Sequence, residues 1–156
     1  MADHKYKTFL HWSAEGGEGT KTYKSFARTH RITAKTKSGA EKPAIVATSA
    51  FHSLDYYNPD EMLLASLSSC HMLWYLHLCS EAGVVVTDYR DEAELVLRLD
   101  SKGEGRVESA TLHPYVTISS GDVNVARALH KDAHKKCFVA NSVNFAVECE
   151  AEIVSV

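Results

Sequence analysis

The chain has 156 residues, which is long enough to bury a substantial core, and a single domain over 1–156 is expected. With 45% hydrophobic and 24% charged residues, its composition excludes disordered and fibrous proteins. A formal net charge of -3 gives no reason to expect nucleic acid or an anionic membrane as a partner.

The first 57 residues predict strands and loops. Residues 5–14 and 20–36 alternate apolar and polar side chains, with the Gly-rich stretch EGGEGT between them, which predicts a strand, a turn and further strands. Residues 38–60 predict a loop region with at most one short strand. The opening MADHKYKTFLHW lacks the apolar segment of a signal peptide, so a cytoplasmic protein with reduced thiols is expected.

Residues 58–83, NPDEMLLASLSSCHMLWYLHLCSEAG, predict a long helix. Asn58 is a suitable N-cap, Pro59 suits the first turn, and Gly83 stands where a C-cap glycine belongs. Apolar residues occupy nearly every side of this helix, so a second layer or a second subunit should cover it. Polar residues interrupt the apolar run too often to favour a membrane span.

The remaining residues predict strands around a second helix. Residues 83–100 and 105–120 predict two strands joined by the turn SKGEG, and residues 141–156 predict a final strand. The helix predicted over 121–137 has Asp122 as its cap, and its buried stripe consists of Val125, Ala126, Leu129, Ala133 and Cys137. The order βββ-α-ββ-α-β predicts an α+β domain.

The four cysteines are Cys70, Cys79, Cys137 and Cys149, and no two of them form the CxxC motif of zinc ribbons or thioredoxins. Cys79 and Cys149 fit the core, where cysteine acts as a small hydrophobe. Cys70 and Cys137 each lie on the buried stripe of a helix, so their thiols would meet if the helices pack together. Such a dithiol suits peroxide chemistry, in which one thiolate becomes a sulfenic acid and the second condenses with it.

A reactive thiolate needs a cation that lowers its pKa. Arg28 and Arg31 are the candidates near an apolar strand face, and Asp60 or Glu61 could hold the guanidinium in place. Asp60 precedes Cys70 by ten residues, about 15 Å along a straight helix. The site therefore needs a bent helix, an arginine that bridges the gap, or parts from a second chain. The simpler alternative is that both acids only complement the helix dipole.

A second candidate site lies on the predicted second helix. His130, His134 and Cys137 have the spacing i, i+4 and i+7, so they share one helix face and could bind zinc with a fourth ligand from elsewhere. The chain contains no GxSxG, GxGxxG or GxxxxGK motif, which argues against a serine hydrolase of that type and against phosphate-binding loops.

Three segments resemble the OsmC/Ohr family of osmotically inducible and organic hydroperoxide resistance proteins. They are NPDEMLLASLSSCHM (58–72), CFVANSV (137–143) and FARTH (26–30). The resemblance implies an OsmC-like fold, in which sheets wrap around two central helices in an intertwined homodimer. It also implies that Cys70 is the peroxidatic thiol, Cys137 the resolving thiol and Arg28 the arginine that stabilises the thiolate. Asp60 stands where better known members have glutamate, so Glu61 is the alternative partner of Arg28.

The expected function is that of a thiol-dependent antioxidant peroxidase in the oxidative stress response. It would reduce organic hydroperoxides to alcohols through a Cys70 sulfenic acid and a Cys70–Cys137 disulfide, with no cofactor and no resident metal. A lipoyl-type dithiol is the external reductant that the resemblance implies. The apolar neighbours that should favour a hydrophobic peroxide are Leu67, Leu73, Trp74 and Phe138. The alternatives are a non-catalytic OsmC-like stress or binding protein, and a metal-binding module that uses His130, His134 and Cys137.

Overall fold

A computed structural model of the chain describes residues 3–14 and 16–156. Internal contacts divide the chain into two compact units, an N-terminal unit (Met1–Pro59) and a C-terminal unit (Asp60–Val156). The mixed architecture confirms the α+β class predicted from the sequence. The single domain over 1–156 stays a prediction.

The N-terminal unit is built on a three-stranded antiparallel sheet of order β1-β2-β3. Its strands are β1 (Thr8–His11), β2 (His30–Ala34) and β3 (Ile45–Ala47). Of the further strands predicted over 20–36, only β2 forms. The Ser25 hydroxyl donates to the carbonyls of Gly19 and Thr22, and such local bonds hold the chain in turns instead of a strand.

Helix α1 (Pro59–Glu81) opens the C-terminal unit and has the predicted ends. It begins directly after Asn58. Gly83 takes a φ of 71°, and the Val84 N–H donates to the Cys79 carbonyl at 2.9 Å, a Schellman-type C-cap that confirms the predicted stop.

Only one narrow stripe of α1 is buried, which consists of Leu67, His71, Tyr75 and Cys79. Leu73, on another side, is 62% exposed. Within the described ranges, α1 alone is long and apolar enough to cross a membrane, and 22% of its most apolar window is buried. Core helices of soluble proteins can have the same length and composition. The buried side chains of His71 and Cys79 face the protein interior.

The C-terminal unit holds two three-stranded sheets of orders β4-β7-β9 and β5-β6-β8. Their strands are β4 (Val85–Asp91), β5 (Glu94–Leu99), β6 (Gly105–Leu112), β7 (Pro114–Ser120), β8 (Ala146–Cys149) and β9 (Glu152–Ser155). β8 and β9 pair in parallel with β6 and β7, whereas the other pairings are antiparallel. The sequence predicted three long strands here, and each is interrupted once.

Asp91 explains where two of these strands break. Its carboxylate accepts a hydrogen bond from the His113 N–H at 2.7 Å, so a side chain replaces a ladder bond at this point. Pro114, the next residue, has no N–H to donate. The third break follows Cys149, where the Glu150 N–H donates to the Leu112 carbonyl at 2.8 Å. The interruptions place Asp91 and Cys149 at the ends of their strands.

Helix α2 (Val123–Lys136) begins as predicted, because the Asp122 carboxylate accepts hydrogen bonds from the N–H groups of Asn124 and Val125. Its buried residues are Ala126, His130 and Ala133, and Cys137 follows at the C-cap. The predicted stripe was wrong in one position: Val125 is 42% exposed, and His130 occupies the core-facing position. Ala126 and Ala133 pack in one apolar cluster with Tyr75 and Cys79 of α1.

Replacing Asp122 with alanine should lower the free energy of unfolding by about 1 kcal/mol, because two N–H groups at the start of α2 lose their acceptor. Urea denaturation measures the loss. Asp132→Ala is the matched control in the same helix. Asp132 forms an exposed ion pair with Lys135, so its removal should cost less than about 0.5 kcal/mol. Equal losses in both variants would contradict the capping role.

Candidate functional site

The two helices of the C-terminal unit bring the thiols of Cys70 and Cys137 together. Cys70 lies in the middle of α1 and Cys137 at the end of α2, close enough for the Cys70 thiol to raise the pKa of Cys137. Cys70 is partly exposed, whereas Cys137 is 1% exposed. The Ala140 N–H also donates to the Cys137 sulfur, at 3.4 Å. One accessible thiol thus has a buried thiol beside it.

Burial first, and the neighbouring Cys70 thiol second, raise the pKa of Cys137 to about 11. The Ala140 N–H acts in the opposite direction. Cys137 therefore remains a protonated thiol at neutral pH. Only the thiolate attacks a peroxide, so Cys137 is poorly suited to be the first nucleophile, and the accessible Cys70 is the better candidate.

Arg28 belongs to the N-terminal unit, where its side chain is held by local contacts. The guanidinium donates to the carbonyls of Phe26, at 2.6 Å, and Tyr23. It also lies over both aromatic rings, 3.9 Å from the ring centre of Phe26 and 4.5 Å from that of Tyr23. Together with Trp12 and His30, Arg28 lines an open, largely apolar pocket of about 320 Å³.

The two acids predicted to hold Arg28 lie in the first turn of α1. Asp60 is partly buried and Glu61 is exposed. Both take part in interactions within the chain. The pairing of either acid with Arg28, and the action of Arg28 on Cys70, stay predictions. Arg31, the other candidate cation, is exposed and forms an ion pair with Glu41 at 3.1 Å.

The four apolar residues expected near the thiols differ in exposure. Leu67 is fully buried, whereas Leu73 and Phe138 are 62% and 70% exposed. Trp74 and Phe138 contact each other edge to face, with ring centres 5.6 Å apart, and the ammonium of Lys136 lies 5.2 Å from the Trp74 ring centre. Phe138, the residue after Cys137, therefore forms an apolar surface together with Trp74. Leu67 contributes to the core instead.

The alternative metal set of His130, His134 and Cys137 does not converge in the structure. In the part of the chain that the structure describes, one group of three potential ligands converges, and it consists of His71, His130 and Cys149. The Nδ1 atom of His130 lies 2.9 Å from the Nε2 atom of His71, which turns it toward α1. Cys137 is engaged with Cys70 instead. A shared helix face did not bring the three ligand atoms to one point.

The two histidines of this group are neutral at physiological pH. Burial first, and the charge of His134 second, lower the pKa of His71 to about 4, while Asp91 opposes the shift. Burial likewise lowers the pKa of His130 to about 3, with smaller effects from His71 and Arg127. Burial raises the pKa of the Cys149 thiol to about 12, and Asp91 and Glu150 add to the rise.

The model of a protein family described as OsmC-like protein matches residues 52–152. The chain belongs to the OsmC-like family. The matched residues include Cys70, Cys137, Asp60 and Glu61, whereas Arg28 precedes them. Family membership confirms the resemblance on which the fold was predicted.

Solved OsmC-like structures share the fold over nearly the whole chain. An OsmC-like protein of unknown function from Vibrio cholerae is 27% identical, with a TM-score of 0.81 over 96% of this chain and 100% of that one. The organic hydroperoxide resistance protein OhrB of Bacillus subtilis is 17% identical, with a TM-score of 0.63 over 96% of this chain and 98% of its own.

A curated relative of this OsmC-like protein matches a shorter stretch. The uncharacterized protein YmaD of Bacillus subtilis is 27% identical over 99 residues, which are 61% of this chain and 65% of YmaD. The chain therefore spans slightly less than two thirds of that relative's length.

Sequence reasoning missed the contribution of His71 and Cys149 to a polar cluster. His71 belongs to the i, i+4 series of buried positions in α1, and Cys149 was expected on the core face of the last strand. A core-facing histidine on each helix and a core-facing cysteine on a strand were the available signals. Their convergence depends on how α1, α2 and β8 pack, which spacing along the chain does not reveal.

In this OsmC-like protein, limiting iodoacetamide at pH 8 should alkylate Cys70 before Cys137. Cys70 is partly exposed, and the pKa of about 11 gives Cys137 about 100-fold less thiolate than a thiol with the reference pKa of 9.0. The labelling rate of Cys137 should keep rising up to about pH 11. Peptide mapping by mass spectrometry measures both rates in the folded protein, and equal rates at pH 8 would contradict this arrangement.

Proposed function

We propose that this OsmC-like protein is a cysteine-based peroxidase that reduces organic hydroperoxides to alcohols. The observation that carries the proposal is the pairing of a partly exposed thiol, Cys70, with a buried and protonated thiol, Cys137, across the two helices. The shared fold with OhrB, which is named for organic hydroperoxide resistance, supports the same proposal.

The reaction has two steps on the protein. The Cys70 thiolate attacks the distal oxygen of the peroxide, the O–O bond breaks, and the alkoxide takes a proton to leave as an alcohol. Cys70 becomes a sulfenic acid. The Cys137 sulfur then attacks the Cys70 sulfur, water leaves with the Cys137 proton, and a Cys70–Cys137 disulfide remains. An external dithiol reduces this disulfide and restores both thiols.

The burial of the two thiols favours this order of events. A peroxide reaches Cys70 from solvent more readily than Cys137, which is 1% exposed. Because Cys137 keeps its proton, it can donate a hydrogen bond to the Cys70 sulfur while Cys70 reacts. Once Cys70 is a sulfenic acid, the Cys137 thiol is its neighbour across the two helices, which favours condensation.

Arg28 is proposed to stabilise the Cys70 thiolate and to orient the peroxide. Its two aromatic neighbours and two carbonyl acceptors fix the guanidinium, which is the pre-organisation that such a role needs. Asp60 is the proposed partner of Arg28, and Glu61 is the alternative.

The substrate is proposed to be a hydrophobic organic peroxide, and the reductant a lipoyl-type dithiol. Exposed Leu73 and Phe138, together with Trp74, which contacts Phe138, offer an apolar surface in the same unit as the thiols.

The protein is further proposed to be a cytoplasmic homodimer. The narrow buried stripe of α1 leaves apolar side chains of this helix for a second copy to cover.

Turnover of cumene hydroperoxide with a dithiol reductant should fall more than about 100-fold in Cys70→Ser, because the nucleophile is lost. Cys137→Ser should also lose turnover but still reduce about one equivalent of peroxide, which leaves a trappable sulfenic acid on Cys70. Cys79→Ala, which removes a thiol from the core, is the control and should retain turnover. Full turnover in Cys70→Ser would exclude Cys70 as the nucleophile, and the absence of turnover in the unmodified protein would favour the non-catalytic alternative.

Arg28→Gln should slow the reaction of Cys70 with cumene hydroperoxide by about 10-fold or more and move its pH profile upward, since the thiolate loses a cation. Arg31→Gln, which removes an exposed arginine of the same unit, should have little effect. Asp60→Asn should slow the reaction more than Glu61→Gln, because Asp60 is partly buried and Glu61 is exposed. Stopped-flow fluorescence on the reduced protein measures these rates, and an unchanged pH profile in Arg28→Gln would remove Arg28 from the site.

A further inference from the structure

Three potential ligand atoms converge in the C-terminal unit, and none of them belongs to the thiol pair. His71 extends from α1, His130 from α2, and Cys149 from the end of β8. The Nε2 atom of His71 lies 2.9 Å from the Nδ1 atom of His130, and the Cys149 sulfur lies 3.6 Å and 3.7 Å from these two nitrogens. We propose that His71, His130 and Cys149 bind one Zn²⁺ ion.

The spacing of the three atoms fits zinc. A circle through them has a radius of about 2.0 Å, close to the ~2.0–2.3 Å bonds that Zn²⁺ forms with imidazole nitrogen and thiolate sulfur. Tetrahedral zinc separates two nitrogen ligands by about 3.3 Å, so the rings, now 2.9 Å apart, must part by about 0.4 Å. Rotation about the soft terminal torsion of His71 is sufficient for this.

The histidines make a ligand role more economical than a packing role. His71 is 1% exposed and His130 5%. Their mutual hydrogen bond satisfies one nitrogen of each ring, and the outer nitrogens, His71 Nδ1 and His130 Nε2, are buried without a hydrogen-bond partner among the described residues. Keeping two such rings in the core costs free energy that apolar side chains would not, so packing alone does not explain them. Tyr75 stacks on His130, with ring centres 3.8 Å apart, and restricts its orientation.

The surroundings favour a cation over a protonated imidazole. A metal ion binds the neutral form of imidazole. The Asp91 carboxylate, held by the Ser68 hydroxyl and the His113 N–H, contributes a negative charge near Cys149 and His71. On binding, Zn²⁺ displaces the proton of Cys149, which leaves to solvent, and a water completes the fourth position. Cys70 and Cys137 take no part, so this site does not depend on the proposed peroxidase reaction.

Cobalt titration of the reduced, chelator-treated full-length protein tests the site. Co²⁺ should bind with one equivalent, with a thiolate-to-metal charge-transfer band and the intense visible bands of tetrahedral cobalt, and one equivalent of Zn²⁺ should remove both. Cys149→Ser should lose the charge-transfer band and weaken binding about 10-fold or more, with Cys79→Ala as the thiol control. His71→Asn should weaken binding similarly, whereas His134→Asn should not.

Circular dichroism establishes that each variant is folded before its titration is used. A charge-transfer band that persists in Cys149→Ser and disappears in Cys137→Ser would overturn the site in favour of ligands on α2 alone. The absence of any thiolate-to-cobalt band in the unmodified protein would also overturn it. Neither result depends on peroxide turnover, because the titration reads metal coordination in the fully reduced protein.

Discussion

Helix α1 packs against α2 through two pairs of polar side chains, Cys70 with Cys137 and His71 with His130. Cys70 and His71 are consecutive on α1, whereas their partners lie seven residues apart on one face of α2. Thiols and neutral imidazoles tolerate burial better than charged groups do, provided that each finds a partner. The helix contact supplies that partner in both pairs and therefore decides where the chemistry of the C-terminal unit takes place.

The strand interruptions support this contact. Asp91 bonds to the His113 N–H and the Ser68 hydroxyl, so one carboxylate joins the bend of two strands to α1. β8 ends at Cys149, where the Glu150 N–H donates to the Leu112 carbonyl, and the Cys149 sulfur lies beside the histidine pair. Asp91 therefore both shapes the ends of two strands and adds a negative charge beside Cys149 and His71.

The two cysteines of helix α1 have different roles. Cys79 packs in the core, and Cys70 is the accessible half of a dithiol.

Local features were predictable from the sequence wherever neighbouring residues decide them. The start of α1 after Asn58, its stop at Gly83 and the Asp122 cap of α2 depend on residues within one helical turn. The meeting of Cys70 and Cys137 was predicted by placing each on a buried stripe, but this was wrong for Cys70, which lies beside the buried stripe of α1 and is partly exposed. The breaks in the long strands did not follow, because Asp91 acts on His113, 22 residues away. The His71–His130–Cys149 group was missed for the same reason, since three separate elements contribute to it.

The central claim is that Cys70 and Cys137 form one redox pair, and its most direct test is the mass of the reduced protein before and after one equivalent of cumene hydroperoxide. The account predicts a loss of two hydrogens per chain within the mixing time of the experiment, with a single cross-linked peptide pair that contains Cys70 and Cys137. Four unchanged thiols, or a disulfide that joins other cysteines, would contradict it.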